Sequence, residues 1–142
     1  MKWMGKLLMM ALMCVCVALV APMGTAEAYV IEQVDGVSCY HGDLNYPLWE
    51  TGSKLGSVFD ISSAFIEDEN DSYAYIKVNE YMVHYETDYL SLDGAREIRY
   101  NKRSGQFAFQ GADGWFDPFA RYPYQRILLN HALYLIRAKF GM

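Results

Sequence analysis

Residues 73–81 read Tyr73-Ala74-Tyr75-Ile76-Lys77-Val78-Asn79-Glu80-Tyr81. In an extended chain successive side chains point to opposite faces. Ala74, Ile76 and Val78 then share one face, and Tyr73, Tyr75, Lys77 and Asn79 share the other. This alternation predicts a strand with one apolar face. It sets the fold class, because an apolar sheet face needs a partner layer to cover it.

That layer is sought downstream. Tyr124 to Phe140 carries Leu128, Leu129, Ala132, Leu133, Leu135, Ile136 and Phe140, a spacing that predicts a helix with one broad apolar face. Pro123 suits its first turn, Arg137 and Lys139 suit its C-terminal dipole, and Gly141 suits its stop. Strands are expected at Tyr29–Val34, Val37–Tyr40, Ser57–Asp60, Met82–Leu92, Ala95–Tyr100 and Gln106–Gln110. Turns are expected at Asp35-Gly36, within Ile61–Ile66, at Glu67–Asp71, at Asp93-Gly94 and at Asn101–Gly105, with a loop over Gly111–Asp117. The expected fold is α+β: an antiparallel β-sheet meander with a C-terminal α-helix packed on one face.

Upstream, Met1 to Lys6 holds two lysines and no acid, and Leu7 to Val20 is uncharged. Ala21 to Thr25 contains Pro22 and Gly24, and Ala26-Glu27-Ala28 closes the stretch with small residues at the positions a signal peptidase reads. This order predicts a cleaved export signal over 1–28, cut between Ala28 and Tyr29, followed by one domain over 29–142. A membrane anchor would need about 20 apolar residues, more than this run supplies. A Sec-type signal leads to the periplasm, the cell surface or the extracellular space. Membrane contact is then expected only during export.

Removing that signal changes the composition. Without Lys2, Lys6 and Glu27 the remainder has 10 basic and 16 acidic residues, a formal charge of −6. Such a charge argues against nucleic acid as a partner. Cys14 and Cys16 leave with the signal, so Cys39 stands alone and no disulfide can form within the chain. A lone thiol after export is buried or paired between chains.

Candidate chemistry is sparse. Cys39 and His41 form a C-x-H pair that could serve a small hydrolase as thiol and base. No third, orienting residue is suggested, so no catalytic residues are assigned. His41, His84 and His131 with Cys39 lack zinc-site spacing, and no metal ligands or cofactors are expected. Asp68-x-Asn70-x-Ser72 has the oxygen alternation of a calcium loop, but it lacks the turn glycine and closing glutamate. Asn70-Asp71-Ser72 also matches the glycosylation sequon.

The binding candidates are tyrosines. Tyr73, Tyr75, Tyr81, Tyr85 and Tyr89 crowd one stretch, either as a contact surface on an open sheet face or as packing under the helix. As a contact surface they suit an envelope or extracellular protein. A third reading is a structural dimer joined through Cys39 or an open strand edge.

Trp49, Gly52-Ser53, Phe59-Asp60, Ser62-Ser63, Ile76-Lys77-Val78 and the hairpin from Arg96 to Phe109 stand in a particular order. That order resembles small exported bacterial surface-adhesin (protein E-like) envelope domains and related secreted proteins. The resemblance spans Trp49 to Phe109. It implies an antiparallel sheet with a helix, no catalysis and binding of surface partners. It carries over no functional site residues.

Overall fold

The computed structural model describes residues 30–142. The expected signal over 1–28 and the cut between Ala28 and Tyr29 lie outside the described residues. Strands β1 (Ile31–Val34) and β2 (Val37–Tyr40) form a two-stranded hairpin of their own. Asp35 and Gly36 turn it with positive φ angles of 52° and 79°, the backbone that a tight two-residue hairpin needs.

Six further strands make the main sheet in sequential antiparallel order: β3 (Leu48–Thr51), β4 (Leu55–Glu69), β5 (Tyr73–His84), β6 (Tyr89–Asn101), β7 (Phe107–Gly111) and β8 (Gly114–Phe116). A short helix α1 (Pro118–Arg121), a single tight turn at Pro123–Gln125, and the long helix α2 (Arg126–Phe140) follow. The α+β meander with a C-terminal helix on one face is therefore the observed architecture.

Several expected boundaries are corrected. The turn within Ile61–Ile66 and most of the acidic loop belong to β4, which runs unbroken with register shifts between Asp60 and Phe65 and between Ile66 and Asp68. Side chains hold the first irregularity. The Asp60 carboxylate accepts from Ser62 N–H and Ser62 Oγ, and Ser63 Oγ donates to Asp60 O. Met82–Leu92 is two strands, because the chain turns after His84 and Asp88 takes a positive φ of 48°. Asp93-Gly94 is a bulge inside β6, since Tyr81 pairs with Leu92 while Glu80 pairs with Gly94. Gly111–Asp117, expected as a loop, contains β8. Pro123 does not open the long helix. Pro118 opens α1 behind the Asp117 cap, and α2 begins at Arg126.

Both faces of the sheet are covered at the β3–β5 end. On one face Trp49, Phe59, Ile76, Val78, Ile98 and Phe109 pack against Leu129, Leu133 and Ile136 of α2. Full burial of each such side chain stabilises the fold by about 1.5–3 kcal/mol. On the other, Leu48, Val58, Val83 and Tyr85 are buried with Val30, and Ile31, Tyr40 and Tyr46 pack against them. Adjacent residues Val58 and Phe59 are both fully buried because they serve opposite cores.

The β3 edge is closed by a side chain. Gln125 Oε1 accepts from Thr51 N–H at 3.1 Å and Gln125 Nε2 donates to Thr51 O at 3.2 Å. One glutamine amide thus occupies the place of a neighbouring strand, which protects an edge from pairing with another chain.

Candidate binding surface

Register carries the candidate site. Tyr75 pairs with Arg99, Arg99 pairs with Ala108, and Gln110 pairs with Trp115. Paired residues share a face, so Tyr73, Tyr75, Arg99 and Trp115 stand on the face opposite α2. The Tyr73 and Tyr75 rings lie 6.1 Å apart, and Tyr75 lies 5.9 Å from Trp115. The Arg99 guanidinium sits 4.6 Å from the Tyr73 ring centre and 4.9 Å from that of Trp115. These distances are within the range of cation–π attraction. Tyr, Trp and Arg are also the residue types that dominate protein-binding hot spots.

Arg99 has no carboxylate in the ion pairs of the described residues. Those pairs join His41 to Asp88, Lys77 to Glu97, Arg96 to Glu80 and Lys102 to Glu69. Beside Arg99 a cavity of about 400 Å³ reaches round the edge of β7 at Phe107 and Ala108 to the helix side. There Phe119, Tyr134 and Arg137 complete its walls.

The five tyrosines expected as one surface are dispersed. Tyr73 and Tyr75 are half-buried in the aromatic–arginine group. Tyr81 is half-buried at the far core, 6.3 Å from Tyr46. Tyr85 is corrected: it is 3% exposed, and its hydroxyl lies 2.5 Å from Thr51 Oγ1. It is core, because the turn after His84 tucks it beneath β3 and β4. Tyr89 is 59% exposed but pairs in register with His84, at the opposite end of the β5–β6 hairpin from Tyr73. Sequence reasoning missed Arg99 and Trp115. The alternation of β6 carried a signal for Arg99, but Trp115 lay in a presumed loop.

Cys39 and His41 do not form a working pair. Cys39 is free and fully buried, and burial, then the charge of Asp43, pushes its thiol up to about 11. A nucleophilic thiolate needs the opposite shift. His41 turns away with a φ of 51° and lies 2.8 Å from both Asp88 carboxylate oxygens. The calcium-like oxygens serve the hairpin tip instead. Asn70 Oδ1 accepts from Ser72 and Tyr73 N–H, and Asp68 Oδ1 accepts from Glu69 N–H. His131 is half-buried on α2. Among the described residues no group of three or more His, Cys, Asp or Glu is placed to hold a metal.

Comparison with family models, curated proteins and solved structures finds no match to this chain.

Proposed function

We propose that this chain is an exported, non-enzymatic binding domain that holds an envelope or extracellular protein against the surface of Tyr73, Tyr75, Arg99 and Trp115. The observation that carries the reading is the Arg99 guanidinium between Tyr73 and Trp115, with no acidic partner among the described residues. A cation fixed by aromatic walls loses little side-chain entropy when a partner's carboxylate or carbonyl arrives. The basic start, apolar run and Ala-x-Ala end of residues 1–28 support export. The resemblance of Trp49 to Phe109 to surface-adhesin domains supports a binding role.

The test is capture from an envelope extract by the immobilised domain, followed by repetition with variants. Tyr75→Ala, Arg99→Ala and Trp115→Ala should each weaken capture of the same partner. Tyr89→Ala, at the far end of the hairpin, should leave it unchanged. Equal capture by all four variants would remove this surface from the reading.

A further inference from the structure

We propose that the cavity curling round the edge of β7 is a binding site for a carboxylate carried on an apolar body. Its volume of about 400 Å³ falls within the range of small-ligand sites.

Charge gives the first reason. The chain carries a formal charge of −5, yet this cavity is lined by two arginines, Arg99 and Arg137, neither ion-paired among the described residues. One acidic residue, Asp117, lines it as well. Its Oδ1 accepts from Phe119 N–H as the α1 cap.

Hydrogen bonding gives the second. Arg137 Nε is buried and has no hydrogen-bond partner among the described residues. A buried donor left unsatisfied is costly, more so on a charged group. The Arg137 guanidinium lies 5.5 Å from the Tyr100 ring centre, and a ring face accepts no strong hydrogen bond. A carboxylate meeting a guanidinium side-on takes two parallel N–H donors, and Nε is one of them.

The backbone gives the third. Phe109 pairs with Phe116, so the position facing Phe107 on that strand falls at Pro118, which has no N–H and starts α1. Main-chain groups alternate in direction along a strand, and Asn101 N–H already bonds Gln106 O on the β6 side. The N–H and C=O of Phe107 therefore face the cavity. Trp115, Phe119 and Leu133 supply apolar wall for the rest of the ligand.

A free organic acid and the C-terminus of a short peptide carry this same chemistry. The cavity shares Tyr73, Arg99 and Trp115 with the proposed protein-binding surface, and Arg137, which lines the cavity but lies outside that surface, separates the two readings.

The test uses the purified protein and four probes: phenylacetate, phenylacetamide, acetyl-Leu-Phe with a free carboxylate, and its C-terminal amide. The readouts are calorimetry and the indole N–H resonances of Trp115 and Trp49. At least one acid should bind and shift Trp115 but not Trp49, with its amide about tenfold weaker or worse. Whichever acid binds more tightly identifies the source. Arg137→Met and Arg99→Met should each weaken the acid by about tenfold. Should Arg137→Met fail to fold, Arg137→Lys keeps the charge, loses the side-on donor and should still weaken binding. Tyr89→Ala, at the far end of the β5–β6 hairpin, should bind the acid normally. Amides binding as well as acids would overturn the proposal. So would no binding by either acid at millimolar concentration, or folded arginine variants that bind unchanged.

Discussion

Arg96 holds Glu80 across the β5–β6 pair, with Nε donating to Glu80 Oε2 at 2.9 Å and Nη2 donating to Oε1 at 3.3 Å. Glu80 is 5% exposed, on the face where α2 packs. The Arg96 guanidinium also lies over the Trp49 and Phe109 rings, 5.5 and 5.1 Å from their centres. Burial raises the Glu80 carboxyl above its ordinary range, and the Arg96 bonds and charge pull it back in part. The pair is thus a charge placed in the core and compensated there.

Removing Arg96 alone should therefore be worse than removing both. Arg96→Met is expected to cost about 3–5 kcal/mol in urea unfolding, because Glu80 is left buried and unpaired. Glu80→Gln combined with Arg96→Met should cost less than Arg96→Met alone. The folded Glu80 pKa lies above the unfolded one, so its contribution is full below the ordinary carboxylate value and is lost as pH rises through the folded value. Acidification should hence restore part of the stability that Arg96→Met loses. A double variant as unstable as the two single losses added would contradict the pairing.

Lys139 should matter more than its exposure suggests. Its Nζ donates to the carbonyls of Ile61, Ser62 and Ala64 at 2.8, 3.1 and 2.7 Å. Those carbonyls belong to the irregular part of β4, where the ladder to β5 skips from Asp60 to Phe65. A bulge leaves main-chain groups without strand partners, and one ammonium collects three of them. Lys139→Met keeps the stem and removes the donors, at an expected cost of about 2 kcal/mol. Hydrogen exchange should quicken in residues 61–64 more than elsewhere in β4. Uniform exchange across the sheet would mean the lysine does not hold the bulge.

The same bulge shows why the fold was legible only in part. β5 could be read because over residues 73–79 its even positions are Ala74, Ile76 and Val78 while its odd positions are tyrosine or polar, so one face declares itself. β4 could not. Val58 and Phe59 feed two different cores, and Ser62-Ser63 mimics a turn while serving Asp60 within a strand. β8 has three residues, one a glycine with φ of 107°, too short for any period to show. The candidate site fared likewise. Tyr73 and Tyr75 were visible as a pair, but Arg99, Trp115 and Arg137 join them only through register and helix docking. Tyr85 looked like its neighbours, and only the turn after His84 makes it core.

The loop tips around Asp88 should give stability a limb at each end of the pH scale. The His41 bond, then the Tyr40 bond, holds the Asp88 carboxyl below its usual range. A depressed folded value stabilises above the ordinary carboxylate pKa, and that contribution fades as pH falls through the folded value. Burial, then the bond to Asp88 at 2.7 Å, pushes the Tyr40 phenol from 10.0 up to about 12. Its contribution is complete below pH 10.0 and is lost as pH climbs toward about 12. Asp88→Asn should flatten the acid limb and bring the Tyr40 phenolate transition, followed by ultraviolet absorbance, to lower pH. An unmoved transition would show that burial alone sets the phenol.

Gly56 tests the burial of Tyr85 directly. A Cβ at Gly56 would fall 2.2 Å from Tyr85 Oη and 2.8 Å from Leu48 Cδ1, far inside contact distance. Gly56 pairs with Val83 across β4 and β5, so the sheet holds its backbone in place. Tyr85 Oη is held in turn by Thr51 Oγ1. Neither neighbour can retreat without breaking a bond or opening the second core. Gly56→Ala should therefore cost about 1–3 kcal/mol by overpacking, despite the usual gain in strand entropy on replacing glycine. Tyr85→Phe removes the hydroxyl that the new methyl meets first. Combined with Gly56→Ala, it should recover part of the loss in thermal unfolding, whereas on its own it should destabilise through the lost Thr51 bond. If Gly56→Ala were neutral alone and unaffected by Tyr85→Phe, Tyr85 would not be seated against Gly56. The tyrosine would then be free to join an open sheet face, one of the two placements the sequence allows.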